Sequence, residues 1–359
     1  MTSTARVTTT HFCQLFLLPT SAAYVRGAVS LAPVTTHTTD PFRTGSRRPR
    51  YAYLGPEGTF TESALLQVTE GEDTESFPCS DVVTALEMVR AGTADYAVVP
   101  IENSVEGGVN ATLDTLSTGE PLLIVREMLV PVAFVLCALP GTRLEDVRQI
   151  STHPHAWAQC RGWIGRNLDG VTHVPATSTA SAAALLASGE PQSFDAALCS
   201  ELSAREYGLE VLASGVADNP NAVTRFVLVA TPGHLPEPTG ADKTTLMAHL
   251  PDNEAGALLR MLEQFATRGV NLSRIESRPI GDSLGRYSFS IDAEGHLADE
   301  RVQAALVGLH RVCPIVRFMG SYPRADGVRP RLLPGTTDAD FRAARDWVTS
   351  LLGSGSGSE

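Results

Sequence analysis

Tyr51-Ala52-Tyr53-Leu54-Gly55-Pro56-Glu57-Gly58-Thr59-Phe60 is an apolar β-type run that breaks at a glycine turn and restarts behind a helix-capping threonine. The same unit recurs down the chain. Residues 96–100 precede a helical pattern over 108–116, residues 171–175 precede one over 178–186, and residues 194–199 precede one over 201–207. Short apolar runs alternating with helices predict α/β layers with largely parallel strands. The longer apolar stretch 122–139 reads as strands crossing between two lobes, and residues 225–230 as the strand that closes the block.

Residues 231–242 hold three prolines, two glycines and no apolar period, the signature of a linker. Beyond it the pattern is strand (244–250), helix (254–268), strand (271–280), strand (287–293), helix (298–312), strand (314–322), a ferredoxin-like βαββαβ order. Leu258, Met261, Leu262 and Phe265 mark one face of its first helix, with Asp252 or Asn253 as its cap and Gly269 at its end. Two helices cover one face of such a sheet, and the other face and the edges are expected to pair with a second copy. The predicted organisation is an extension (1–50), an α/β block of two lobes (51–128 with 213–231, and 129–212), a linker (232–243), the βαββαβ unit (244–323) and a tail (324–359) with a short helix near 339–352. The extension is Ser/Thr-rich and poor in acids, which fits a transit peptide, a poor signal peptide over Phe12–Ala23 or a disordered extension, the last preferred. The Gly-Ser run at 353–359 reads as flexible linker.

With a formal net charge of -12, the chain has no diffuse attraction for nucleic acid or an anionic membrane. Lys243 is the only lysine, and it falls in the linker, so Schiff-base chemistry is excluded and anion recognition passes to arginine forks and helix N-termini. The six cysteines are scattered, without Cys-x-x-Cys or Cys/His spacing, which predicts reduced, mostly buried thiols and no metal site. No apolar run approaches the ~20 residues of a membrane span.

Three strand–helix junctions offer free amides and small hydroxyls: Gly55 to Phe60; Pro100-Ile101-Glu102-Asn103-Ser104 with Glu106-Gly107-Gly108; and Ala176-Thr177-Ser178-Thr179-Ala180. In open α/β sheets ligands bind beyond the carboxyl ends of strands, where the next helix begins. Three such junctions in a chain this poor in cations predict a carboxylate-binding cleft. None carries a nucleotide signature.

These residues also carry a resemblance. Tyr53 to Phe60, Pro100 to Ser104, Thr112-Leu113-Asp114, His153-Pro154 with Gln159-Cys160, and Thr224-Arg225-Phe226 resemble the successive signatures of prephenate dehydratases. Gly256-Ala257-Leu258 and Glu276-Ser277-Arg278-Pro279 resemble the ACT regulatory domain attached to them. The chain departs from the pattern at Thr152, His155 and Trp157, where Ser, Gln and Leu are usual, and Asn221 stands three positions before Thr224 instead of two. The resemblance implies a catalytic domain like type II periplasmic binding proteins, with the site between its lobes. It implies conversion of prephenate to phenylpyruvate without metal or organic cofactor, in a cytoplasmic homodimer or homotetramer that L-phenylalanine inhibits. Thr224 is then the catalytic residue, and Gly58, Thr59, Phe60, Asn103, Ser104, Thr177, Ser178, Arg225 and Phe226 bind substrate. Gly256, Ala257, Leu258, Glu276, Ser277, Arg278 and Pro279 bind phenylalanine. Glu57 or Glu102 would serve as the acid if burial raised its pKa. Alternation along a strand opposes placing both Thr224 and Arg225 in the cleft, so Arg225 reads equally as a carboxylate fork or an inter-lobe ion pair. His153 and His155 read as turn and packing residues. The alternatives are an arogenate dehydratase and, from another class, a non-catalytic amino-acid sensor or solute-binding protein.

Overall fold

Side-chain caps at Thr59, Asp81, His153, Ser178 and Ser200 set five helix starts. The computed structural model describes residues 47–251, 254–280 and 287–353. The extension up to residue 46, the proposed caps Asp252 and Asn253, and the Gly-Ser run from residue 354 lie outside the described residues.

The first lobe opens with β1 (Arg50–Leu54), α1 (Phe60–Thr69), β2 (Glu75–Cys79), α2 (Val82–Arg90), β3 (Tyr96–Asn103), the short β4 (Gly107–Gly108), α3 (Asn110–Ser117) and β5 (Leu123–Pro131). The chain then crosses to β6 (Val135–Ala138), β7 (Gln149–Thr152), α4 (Pro154–Asn167), β8 (Thr172–Pro175), α5 (Thr179–Ala187), β9 (Ala196–Cys199), α6 (Glu201–Glu206) and β10 (Glu210–Ser214). It returns as β11 (Val223–Ala230), which lies antiparallel between β3 and β5. The sheet orders are β2-β1-β3-β11-β5, with β4 on β3, and β8-β7-β9-β6-β10. Each lobe thus has three parallel strands followed by an antiparallel crossing strand and one further strand, the arrangement of a type II binding-protein fold. The crossings fall after Pro131 and Ser214, three and two residues later than the sequence reading placed them, because β5 and β10 remain hydrogen-bonded that far.

The third sheet comprises β12 (Asp242–His249), β13 (Leu272–Pro279), β14 (Tyr287–Glu294) and β15 (Ile315–Pro323), in the order β13-β14-β12-β15. The helices α7 (Ala257–Ala266) and α8 (Glu300–Val312) accompany it, and α9 (Asp338–Gly353) follows. This is the predicted βαββαβ unit with three corrections. Strand β12 begins at Asp242, whose carboxylate accepts the Thr239 and Gly240 amides, so Lys243 is a buried strand residue and not part of a linker. Gly256, at φ +84, is the N-cap of α7; Met261 and Phe265 are buried, whereas Leu258 is 40% exposed.

The third correction concerns the sheet's second face. Leu246, Ala248, Ile291 and Ala293 pack with Met261, Phe265, Val302 and Leu309 in one core. On the opposite face Met247, Met319 and Tyr322 share a core with Ile124, Val227 and Val229 of the first lobe. That face is covered by the same chain. At Gly320, in β15, a side chain would run into the Ile124 carbonyl, so glycine sets the approach of the two sheets. The five described cysteines are free and buried.

Candidate active site

A cleft of about 240 Å³ opens between the two lobes, lined by Leu54, Thr59, Phe60, Asn103, Glu106, Phe134, His153, His155, Gln159, Thr177, Ser178, Thr179 and Thr224 among others. Three helices begin at its wall. Thr59 caps α1 by accepting the Glu62 amide at 3.3 Å. Ser178 caps α5 through reciprocal 2.9 Å bonds with Ser181. His153 caps α4, its Nδ1 accepting the His155 amide at 3.3 Å, with Pro154 at the first helical position. Among the described residues no arginine or lysine lines the cleft. Its anion-binding capacity therefore rests on helix N-termini and hydroxyls.

At the cleft floor, the last residue of β3 meets the second residue of β11. Asn103 Nδ2 donates to Thr224 Oγ1 at 2.8 Å. The amide cannot turn freely, because Asn103 Oδ1 accepts the backbone amides of Val105 at 2.8 Å and Glu106 at 3.2 Å. The Thr224 oxygen is thus occupied as an acceptor, and its own proton is left to donate into the cleft. Thr224 is only 8% exposed, so its side chain sits in the cleft floor with little surface open to solvent.

Several bonds hold the lobes across the cleft. His155 Nδ1 lies 2.6 Å from Glu106 Oε2, and Gln159 Nε2 donates to Glu106 Oε1 at 3.3 Å. Phe60 and Phe134 meet edge to face at 5.6 Å. Behind the α1 turn, the Gly58 carbonyl accepts the hydroxyls of Ser200 at 2.7 Å and Ser203 at 2.6 Å. Burial, then the charge of His155, push the His153 imidazole below its usual value.

Among the residues expected to bind substrate, Thr59, Phe60, Asn103, Thr177 and Ser178 share this cleft with Thr224, the expected catalytic residue. Gly58 stands behind the wall, where φ +81 and a 2.7 Å approach to Ser203 Oγ require glycine. Ser104 ties β3 to β11: its amide donates to Val223 O at 2.9 Å, and its hydroxyl accepts the Val223 amide at 3.0 Å. Phe226 is on the Thr224 side of the strand but sealed in the core with Tyr53 and Val98. The second junction supplies the cleft with a strand end and a turn, not a helix start, because β4 intervenes before α3. Glu106, Gln159, His153 and His155 were quoted among the motifs but not assigned, and Phe134 sits in a crossing segment that carries no signal of its own.

Arg225 takes the opposite face, with its side chain 6% exposed. It donates to Glu127 (2.7 Å), Asp292 (2.5 Å), Tyr322 Oη (2.7 Å) and Glu102 (3.3 Å). The reading as a carboxylate fork for substrate is thereby corrected: the fork binds the protein's own carboxylates. Glu102, engaged by Arg225, is on the side away from Thr224, so it is no acid for the cleft. Lys243 Nζ reaches both Glu127 oxygens, at 3.0 and 3.1 Å.

In the C-terminal unit, Glu276 and Arg278 face the first lobe. The Glu276 carboxylate fills the space a side chain on Gly108 would need. Arg278 forks onto Asp114 at 2.8 and 3.1 Å and reaches Asn110 at 2.6 Å. Pro279 ends β13. Among the described residues no His/Cys/Asp/Glu group is built to hold a metal, and no helix is long and apolar enough to cross a membrane.

Comparison with known proteins places this geometry. The family model described as prephenate dehydratase matches residues 51–234. The chain is similar to a prephenate dehydratase of Amycolatopsis methanolica, 46% identical over 303 residues, covering 84% of this chain and 97% of that one. It resembles the crystal structure of a prephenate dehydratase from Arthrobacter aurescens in complex with L-Phe, at 57% identity and a TM-score of 0.81, covering 85% and 99% of the two chains. A more distant structural relative, at 33% identity and a TM-score of 0.69 over 76% of this chain and 97% of that one, is GqqA, described as a novel type of quorum-quenching acylase.

Proposed function

We infer what this protein does from one premise: the chain belongs to the prephenate dehydratase family. It is a carbon–oxygen lyase that converts prephenate to phenylpyruvate, carbon dioxide and water. The bond to the ring carboxylate breaks, its electron pair enters the ring, and the ring hydroxyl leaves as hydroxide, which takes a proton from solvent to become water. Aromatisation drives the step, so the protein's task is to hold two carboxylates and stabilise a departing oxygen.

The observation that carries our account of the site is the Asn103–Thr224 bond. With its oxygen already accepting from Asn103, Thr224 donates a hydrogen bond to the leaving hydroxyl and keeps its own proton, a preformed donor aimed where charge develops. The helix N-termini behind Thr59, His153 and Ser178 face the substrate carboxylates. The capping box on α5 uses the amides of Ser178 and Ser181 and leaves those between them for an incoming anion. The cleft is just under the ~300–1,000 Å³ usual for small-molecule sites, as suits a compact diacid. No metal or organic cofactor enters this scheme.

The same cleft favours a keto acid over its amino counterpart, arogenate. An ammonium would need a free acceptor, and Glu106, the carboxylate in the lining, is held by His155 and Gln159. Regulation follows the relative that binds L-Phe: phenylalanine binds the C-terminal unit through Gly256-Ala257-Leu258 and Glu276-Ser277-Arg278-Pro279 and inhibits the enzyme. With one sheet face covered by its own catalytic lobe, the unit pairs with a second copy through its edge, in a cytoplasmic homodimer or homotetramer. The test is parallel turnover of prephenate and arogenate by the purified chain. Preference for prephenate is expected, and preference for arogenate would refute the assignment of Glu106.

A further inference from the structure

Beside its apolar contact, the C-terminal sheet meets the first lobe through a cluster of buried ionised groups. Asp292, in the middle of β14, is fully buried. It receives Arg225, Arg274 (Nε at 2.9 Å, Nη2 at 3.2 Å) and the Thr245 hydroxyl at 2.8 Å. Burial alone would lower the Arg225 guanidinium and raise the Asp292 carboxyl. Their mutual attraction, joined by Arg274, outweighs it, so both stay charged. Such a cluster is a costly adhesive, since apolar side chains of equal volume often stabilise as well or better. What it adds is a fixed direction.

That direction matters because of what shares the ladder. On β11 and β3, Thr224 pairs with Asn103 and Arg225 with Glu102, and the register slips immediately after Arg225. Successive side chains on a strand take opposite faces. One stretch of ladder therefore carries the Thr224–Asn103 pair on its cleft face and the Arg225 anchor on its other face. A register slip of this kind re-aims side chains and loosens the backbone restraint at that point. The Arg225 guanidinium, clamped by Asp292, Glu127 and Tyr322, supplies a replacement restraint from the other side.

We propose that Asp292 is a positioning residue of the dehydration site: it fixes Arg225 and thereby the aim of Thr224, so the cleft is complete only with the C-terminal sheet docked. The network also continues outward. Arg274 divides its hydrogen bonds among Asp292, the Ser290 hydroxyl (2.8 Å) and Glu276 (Nη1 to Oε2, 3.3 Å), and Glu276 belongs to the segment proposed for phenylalanine. A displacement of Glu276 on effector binding reaches Thr224 through Arg274, Asp292 and Arg225. This inference rests on the dehydratase reading of the cleft.

The experiment is steady-state kinetics on prephenate with the full chain as wild type, Asp292→Asn, Tyr322→Phe, Asn103→Ala and the double variant Asp292→Asn/Asn103→Ala. Asp292→Asn is expected to lower kcat at least about tenfold with KM within about twofold, because it disturbs the donor and not the carboxylate sites. Tyr322→Phe, which removes one partner of Arg225 without changing volume, is expected to lower kcat by about three- to tenfold. In the Asn103→Ala background, where Thr224 has already lost its orienting partner, Asp292→Asn should cost less than about threefold. Losses that multiply in the double variant, or a folded Asp292→Asn with kcat within about twofold of wild type, would overturn the proposal. If Asp292→Asn does not fold, Tyr322→Phe decides: an unchanged kcat overturns it. A wild-type chain without turnover of prephenate removes the dehydratase reading and this inference with it, and is recognised by the missing reference rate.

Discussion

Asn103→Asp should damage catalysis more than Asn103→Ala, although aspartate matches asparagine in shape. In the native site Asn103 Oδ1 is tied down by the amides of Val105 and Glu106, so Nδ2 faces Thr224 Oγ1 at 2.8 Å. In the aspartate variant one carboxylate oxygen keeps the backbone bonds and the other turns to Thr224. That oxygen can only accept, so the Thr224 proton is drawn to it and away from the leaving hydroxyl. Losing one donor aimed at a developing oxyanion costs about 2.7–4 kcal/mol, or roughly 10²–10³ in kcat. Alanine removes only the orienting bond and leaves the hydroxyl free to turn toward substrate, a net loss of about 0.5–1.5 kcal/mol, or roughly 2–12-fold. The assay is phenylpyruvate release at neutral pH, repeated toward acid. The aspartate variant should recover relative to wild type as pH falls toward the carboxyl pKa, about 4 in an unperturbed group. An aspartate variant as active as the alanine variant at neutral pH would refute the assigned direction of the Thr224 proton.

Other expectations follow from the same coordinates. Gly58→Ala forces a side chain to φ +81 and to within 2.7 Å of Ser203 Oγ, so thermal unfolding should show a loss of about 1–3 kcal/mol. His155→Ala removes a half-exposed bond to Glu106 across the cleft mouth; such pairs are worth about 0–1 kcal/mol, so kcat/KM should fall by no more than about fivefold. Asp292 has its folded-state pKa depressed because Arg225 and Arg274 outweigh its burial, so its contribution to stability is complete above the unfolded value of about 3.9 and is lost as pH falls below it. Unfolding free energies from urea titrations, measured down from about pH 5, should therefore drop more steeply in wild type than in Asp292→Asn, by up to about 1.4 kcal/mol per pH unit. Gly256→Val places a β-branched residue at φ +84, and the half-inhibitory phenylalanine concentration should rise at least about tenfold, read from inhibition curves.

Both lobes and the βαββαβ order are legible in the sequence because local signals set them: glycine turns, caps such as Thr59 and Ser178, and strict alternation of strand and helix. Two of the three helix starts in the cleft were legible for the same reason. The third was not, since His153 caps α4 with a ring nitrogen and reads as a packing residue. The covered face of the C-terminal sheet was also hidden. Lys243 and Thr245 on β12, and Arg274 on β13, are polar residues of the kind a water-facing strand carries. The partner of Lys243, Glu127, lies in the first lobe, and Arg274 and Thr245 meet Asp292, which holds the first lobe's Arg225, where local pattern cannot connect them. Alternation did place Arg225 and Thr224 on opposite faces; what it could not supply was Asp292 as the group waiting on the far side.

The most direct measurement is the rate at which purified Thr224→Val converts prephenate, set beside wild type in the presence and absence of phenylalanine. Valine keeps the volume and the strand and removes only the hydroxyl. The account predicts rapid phenylpyruvate formation by wild type, suppression by phenylalanine, and a loss of roughly 10²-fold or more in the variant with its fold intact. A Thr224→Val protein that turns over prephenate at the wild-type rate would contradict it, because the leaving hydroxyl would then need no donor from the floor of this cleft.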